Sequence, residues 1–396
     1  MKRTVLMGLM MAGVAVMAGV SPVSAENYFG EETKGITLTS NESDLNVRIR
    51  LQPRFDTGDI IKSKDGKSYR SDADLYMRRV RLEMGGNLLA KTIKYNLTLS
   101  ADKWEQTAHT GTVSLLYSYV TWEADDALSF MVGKYKLPYS RVSLTSSSKQ
   151  LLIERPVSSE AAKKVFGKTD AYYQPKLSAS GKLLEGVVAY EVAMADGWAN
   201  GEAIQTAPAR SVYRANPLYV ARVELSPPGL AEKSKSDAHL GKGSHLTLGV
   251  NVANQSGIEY TTATDEYSEE RTLLGADLSG HYNGLTAQFE YNAWEIDSED
   301  PLVADIKPKG WYGQAGYYMA GLDIEPVARY EVYDQDTKST DKNETDTTLG
   351  LNWYGKGHSL KVGANWVHSR YAGKATGSLA NDNTKDTLQL QAQMYF

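Results

Sequence analysis

The residues best suited to chemistry crowd into one stretch of the chain. Ser146-Ser147-Ser148-Lys149 has the S-x-x-K spacing that can set a lysine amine beside a serine hydroxyl. The S-D-N and K-T-G segments that complete such acyl-transfer sites are missing. Gly167-Lys168-Thr169 resembles the end of a phosphate-cradling loop, but Ala162 stands where the first glycine of the cradle belongs. There is no H-E-x-x-H and no G-x-S-x-G segment. The six histidines (His109, His239, His245, His281, His358 and His368) are scattered singly, a spacing that does not point to a metal. Asp277 and His281 share one face of a period-two stretch and come nearest to an acid–histidine pair. What the stretch does carry is charge. Over residues 136–170 the bases Lys136, Arg141, Lys149, Arg155, Lys163, Lys164 and Lys168 outnumber the acids Glu154, Glu160 and Asp170. Such groups bind and steer anions: one lysine about 4 Å from an anion is worth about 4 kcal/mol at an effective dielectric near 20.

Positioning these residues requires a frame, and the patterning supplies strands. The chain has 396 residues, no cysteine, 25 tyrosines, and 43 basic against 48 acidic residues, a net charge of −5. Its acidic balance argues against a nucleic-acid partner, and with no cysteine it is no disulfide scaffold. Residues 1–25 read as a secretory signal peptide. Lys2 and Arg3 precede the apolar stretch Val5 to Val20, and Val23-Ser24-Ala25 fits the small-x-small cleavage rule. Cleavage would leave residues 26–396 as one domain. After residue 25 no run of about 18 apolar residues occurs, so no helical span is expected. Hydrophobicity instead alternates with period two. Leu246, Leu248, Val250 and Val252 oppose Thr247, Gly249 and Asn251, and Leu388, Leu390, Ala392, Met394 and Phe396 oppose a row of glutamines.

Sixteen such segments run from 44–56 to 385–396, most of them about ten residues long, enough for a tilted strand to cross a bilayer. The odd-numbered connections are long, the longest being 137–169. The even ones are tight, as at 182–183 and 283–284, except 227–243. Long outside and short inside is the pattern of an outer-membrane barrel, and a sheet in lipid must close because an open edge leaves backbone groups unpaired. Tyr and Trp recur at the segment ends (Trp122, Trp294, Trp311, Tyr317, Trp353, Tyr354, Trp366, Tyr395), as interfacial girdles would require. The expected fold is therefore all-β, a 16-stranded antiparallel transmembrane β-barrel, with the third connection folded inward. That connection is too oily to stay in water (Leu144, Leu151, Leu152, Ile153, Val165, Phe166). The register turns Arg48, Arg50, Arg79, Arg81 and Arg329 toward the lumen, together with acids such as Glu83, Asp277, Glu290, Glu325 and Glu331. It turns Arg78 toward lipid, where a charge at mid-bilayer costs about 2–4 kcal/mol.

The segment also resembles a known family, the phosphate-selective porins O and P. The likeness rests on Val132-Gly133-Lys134-Tyr135-Lys136-Leu137-Pro138-Tyr139, on Leu144-Thr145-Ser146-Ser147 through Ile153-Glu154-Arg155, on Arg78-Arg79-Val80-Arg81-Leu82, and on Val327-Ala328-Arg329-Tyr330-Glu331. It implies a homotrimeric outer-membrane porin in which an arginine ladder leads anions to a basic constriction. The ladder would be Arg48, Arg50, Arg79, Arg81 and Arg329. The constriction would be Lys136, Arg141, Lys149, Arg155, Lys163, Lys164 and Lys168. Arg141 stands where many members carry an acid, and residues 255–270 hold no dense lysine cluster; both are departures from the phosphate-selective pattern. The expected activity is passive diffusion of small hydrophilic solutes with an anion preference, phosphate-like anions among them. No enzyme chemistry, cofactor or metal is expected, and the surroundings would be outer-membrane lipid and lipopolysaccharide. The competing readings are a general or cation-preferring porin, a surface adhesion or interaction barrel, and a barrel hydrolase.

Overall fold

The computed structural model describes residues 35–396 except 65–66, 90–91, 104–111, 168–171, 200–201, 205–209, 263–264, 339–342 and 373–382. The expected signal peptide, residues 1–25, lies outside the described residues. Among the described residues, nineteen strands form one antiparallel sheet. In chain order they are β1 (Ile36–Thr39), β2 (Asp44–Lys64), β3 (Lys67–Leu88), β4 (Ile93–Ser100), β5 (Ser114–Asp125), β6 (Leu128–Lys136), β7 (Tyr173–Leu183), β8 (Val188–Ala195), β9 (Ala203–Ile204), β10 (Arg210–Arg214), β11 (Leu218–Leu225), β12 (Ser244–Thr261), β13 (Glu266–Tyr282), β14 (Leu285–Ser298), β15 (Lys309–Tyr317), β16 (Ile324–Asp334), β17 (Asn343–His358), β18 (Leu360–Tyr371) and β19 (Thr384–Tyr395). Sixteen of these, β2–β8 and β11–β19, pair with their sequence neighbours. The ring closes where β19 returns to β2, with Leu390 opposite Phe55. The terminal Phe396 secures the seam: its N–H donates to Ile49 O at 3.0 Å, and Ile49 N–H donates to Phe396 O at 2.7 Å. Closure leaves no unpaired edge facing lipid, the condition for a sheet to span a membrane.

Each strand reads as its alternation requires. Along β12, Leu246, Leu248, Val250 and Val252 are exposed on the outer face, while His245, Thr247 and Asn251 are buried inside. At the turn between β13 and β14, Asn283 and Gly284 both have positive φ, 48° and 86°. That is the primed turn whose twist suits a two-residue hairpin.

Three expectations need correction. First, the connections drawn at 57–73 and 255–270 are largely strand: β2 with β3, and β12 with β13, continue as paired ribbons past the expected ends. Beyond the bilayer a ribbon needs no oily face, so the alternation that marks a strand fades while the pairing persists. Second, Arg78 does not face lipid. Gln52 pairs with Arg79 and Pro53 with Met77, so a β-bulge takes up Arg78. A bulge inserts one residue and re-aims its neighbours, and here both Arg78 and Arg79 reach the loop residue Glu154. Third, Trp294, Tyr354 and Tyr395 are buried inside rather than set in an outer girdle. They occupy inward positions of their strands, and Tyr395 Oη donates to Glu83 at 2.6 Å.

The described part of the third long connection, residues 137–167, packs inside the barrel. It holds two short helices, α1 (Arg141–Leu144) and α2 (Val157–Ala162). Leu137, Tyr139, Val165 and Phe166 form its main core with Leu218, Leu273 and Trp294 of the wall. Leu151, Leu152 and Ile153 find room because inward positions of the facing strands are glycine. A Cβ on Gly350 would lie 2.6 Å from Leu152 Cδ2, one on Gly316 3.2 Å from Leu151 Cδ2, and one on Gly363 3.4 Å from Ile153 Cγ1. The long connection between β11 and β12, residues 226–243, also enters the barrel, from the opposite end. Asp237 and Ala238 N–H both donate to Lys149 O at 3.0 Å, and Ala238 packs with Leu151 and Leu152.

Candidate functional site

The inward loop meets a basic wall. On β2 and β3 the inward positions include Arg50 and Arg81, whose guanidinium groups both donate to Ser147 Oγ, at 2.9 and 3.4 Å. Two residues earlier, Lys136 Nζ donates to Leu144 O at 2.7 Å and to Thr145 O at 3.3 Å. Arg155 Nη2 donates to the same Thr145 carbonyl at 3.0 Å. Four cations thus converge on loop residues 144–147. Three have acids: Arg50 pairs with Glu83, Arg81 with Asp102 at 2.7 Å, and Arg155 with Glu160 at 3.8 Å. Among the described contacts Lys136 binds only carbonyl oxygens.

A second knot is built on Glu154. Its carboxylate accepts from Arg54 and from Arg78 Nε at 2.5 Å, and lies 3.8 Å from Arg79. Its backbone carbonyl accepts from Arg329 Nη1 at 2.8 Å. Burial alone would push the Glu154 carboxyl up; Arg78, Arg54 and Arg79 overturn that and hold it well below the usual carboxylate range. Glu154 therefore stays charged and ties the loop to β2, β3 and β16.

The remaining expected site residues are spread more widely. Arg48 is half-buried and pairs with Glu83 at 3.3 Å. Lys163 pairs with Glu160 at 3.0 Å, and Lys164 is exposed. Lys149 Nζ lies 3.4 Å from Ser234 Oγ. Lys168 lies outside the described residues. Arg141 is not at the basic cluster: it forms a bidentate pair with Glu232 of the 226–243 connection, at 2.7 and 2.9 Å. The acid–histidine and serine–lysine pairings do not come together. Asp277 binds Arg222 while His281 faces His245, and Ser146 Oγ bonds Ser148 Oγ at 3.0 Å.

Sequence reasoning missed Arg54, Glu154 as an organising anion, and the entry of 226–243 into the barrel. Period two carried past Gln52 finds Arg54. The connection was marked by breaking the short-turn rule. It also missed that three histidines meet: one ring nitrogen from each of His239, His245 and His281 lies within 4.8 Å of the others. On the β2–β6 side the barrel keeps an open cavity of about 500 Å³, lined by Asp44, Asn46, Arg48, Lys94, Tyr119 and Tyr135 among others.

A closed sixteen-strand barrel matches known proteins. The family described as phosphate-selective porin O and P matches residues 47–396. The chain belongs to this family. An uncharacterized protein of Aquifex aeolicus is 36% identical, covering 92% of this chain and 91% of that one. Porin O of Pseudomonas aeruginosa is 24% identical, covering 90% and 89%. Among solved structures, the anion-selective porin from Comamonas acidovorans superposes with a TM-score of 0.60 at 13% identity, covering 90% of this chain and 100% of that one. The outer-membrane channel DcaP of Acinetobacter baumannii gives 0.58 at 12% identity, covering 91% and 99%. At these identities the superpositions show the fold. As a member of the phosphate-selective porin O and P family the protein is an outer-membrane porin.

Proposed function

We propose that this porin passes small hydrophilic solutes by passive diffusion with a preference for anions, as a homotrimer and without covalent chemistry. The observation that carries the reading is the convergence of Arg50, Arg81, Lys136 and Arg155 on residues 144–147 of the loop, four cations against three paired acids. Conduction needs several moderate sites rather than one deep one. Cations held by neutral oxygens and shared acids provide that, because each keeps part of its field for a passing anion. Lys163 and the exposed Lys164 extend the positive face of the loop. Porin O and the anion-selective porin of Comamonas acidovorans carry names consistent with this reading. A phosphate-like oxyanion suits the forked guanidinium groups of Arg50 and Arg81.

A cation preference has its own support: Asp237, Asp277, Glu290 and Glu325 are buried along the facing side. The two readings differ in sign. In a planar bilayer under a potassium chloride gradient, the reversal potential is expected at the chloride side of zero, and a shift to the potassium side would refute the anion reading. Exchanging Lys163 and Lys164 for glutamate should move the potential toward potassium. An unchanged value would mean that the residues following α2 do not border the path.

A further inference from the structure

Among the described residues, the barrel holds a cluster of histidines that the channel reading leaves unused. His245 of β12 and His281 of β13 are direct cross-strand partners on the inner face, near the end of the barrel where 226–243 enters. Their Nδ1 atoms face each other at 2.5 Å. The outer nitrogen of each ring is already held. His281 Nε2 lies 2.9 Å from Lys242 O, and His245 Nε2 lies 3.1 Å from Ser279 Oγ. A carbonyl can only accept, so His281 carries its proton on Nε2 and keeps a lone pair on Nδ1. His245 can do the same, with Ser279 Oγ accepting its proton. Such outer contacts fix tautomer and ring orientation in metal-binding histidines.

The third ring comes from the inserted connection. His239 stacks on His281 with ring centroids 3.6 Å apart and an interplanar angle of 11°. Its side chain is 10% exposed, and Glu232 Oε1 is 3.8 Å away. His239 Nε2 is buried without a hydrogen-bond partner. The turn that delivers it is fixed by Lys242 N–H donating to His239 O at 3.0 Å and by positive φ at Leu240, Gly241 and Gly243. With both protons on the outer nitrogens, the Nδ1 lone pairs of His245 and His281 face one another, and a cation bound there relieves that opposition.

We propose that His239, His245 and His281 bind a divalent transition-metal cation of the zinc or nickel class, which clamps the 226–243 connection to β12 and β13. Imidazole nitrogens suit zinc, nickel, cobalt and copper, whereas calcium and magnesium require oxygen cages. Three protein ligands leave one coordination position for water. Glu232, next to His239, keeps a negative group near the ion while it pairs with Arg141.

The test uses the full chain folded in detergent, stripped with a chelator and titrated with cobalt(II) as the coloured probe. One cobalt per chain with visible ligand-field bands, displaced by zinc and not by magnesium, is the expected result. His239→Ala should weaken binding at least tenfold, and His281→Ala likewise. His368→Ala, a change at a histidine far from the cluster in the fold, should leave binding unchanged. His239→Gln, placed on a connection and not on a strand, serves as the second variant; heat-modifiable migration establishes that each variant tested is a folded barrel. Zinc should raise the temperature of that migration change in the parent protein and not in His239→Gln. Absence of ligand-field bands, equal displacement by magnesium, or unaltered affinity in folded His239→Gln would each overturn the proposal.

Discussion

Replacing Arg141 with alanine should release the 226–243 connection from the inward loop. Arg141 joins Glu232 by two parallel bonds of 2.7 and 2.9 Å, and a third of 3.2 Å joins it to the Ser236 carbonyl. The two side chains are only 1% and 5% exposed. Removing the guanidinium strands a buried carboxylate, a change that costs about 3–5 kcal/mol. Proton binding gives an independent measure. Burial alone would push the Glu232 carboxyl up, but the Arg141 guanidinium reverses this and holds it at about 2 against an ordinary 4.5. That fall is worth about 3 kcal/mol at 1.36 kcal/mol per pKa unit. Because the docked state has the lower pKa, the stabilisation is complete above pH 4.5 and is lost as pH falls toward about 2. Single-channel recording in planar bilayers reads this directly. The parent channel should hold one conductance at neutral pH and step to a larger, noisier one in acid. Arg141→Ala should show the larger state already at neutral pH, with a flattened acid response. Removing both partners should cost less than removing one, since no lone charge remains. If Arg141→Ala conducts like the parent at neutral pH and still opens in acid as the parent does, the pair does not hold the connection and the reasoning fails.

Glu154→Gln removes the anion shared by Arg54, Arg78 and Arg79. The loop should loosen by about 3–5 kcal/mol, with the reversal potential moving further toward chloride; an unchanged potential and melting temperature would deny its organising role. Gly350→Val puts a Cβ 2.6 Å from Leu152 Cδ2 and 2.7 Å from Asn365 Oδ1. Such overpacking costs about 1–3 kcal/mol, to be read as a lower temperature for heat-modified migration. Phe166 is fully buried, so Phe166→Ala should weaken loop docking by about 3–5 kcal/mol and increase open-channel noise without dismantling the barrel.

The barrel was legible because lipid and water impose opposite demands on adjacent residues. All sixteen spanning strands occur where alternation places them, and Leu390 with Phe396 lies on the oily side of the seam as read. The inward loop was legible for a related reason: Leu151, Leu152 and Ile153 could not remain in water. Local irregularity was not legible. The bulge at Arg78 depends on its pairing with β2, and no single-strand pattern reveals that one partner has an extra residue. Pairings across the lumen were hidden as well. Arg141 and Glu232 are 91 positions apart, and nothing in either segment names the other. His245 and His281 become neighbours only through strand register, and His239 joins them only because an end connection folds inward.

The placement of charge follows from the ring order. In a closed circuit of sixteen strands, β2 and β3 lie opposite β12 and β13. The first pair carries Arg50, Arg54, Arg78, Arg79 and Arg81 on its inner side. The second pair carries Asp277, and the adjoining β14 carries Glu290. The lumen therefore has a predominantly basic side at β2 and β3, shared by Asp56, Asp74 and Glu83, facing a side of mixed charge where Asp277, Glu269 and Glu290 stand with Arg222 and Arg271, and the two inserted connections lie between them. Under the anion-preferring reading, the open cavity beside β2–β6, with Arg48 and Lys94 in its wall, is the half that conducts. The facing half holds the Arg141–Glu232 pair that joins the loop to the 226–243 connection. Opening that half should then cost selectivity as well as order. In Arg141→Ala the added conductance should carry more potassium, drawing the reversal potential toward zero, whereas extra current with undiminished chloride preference would place the conducting path elsewhere.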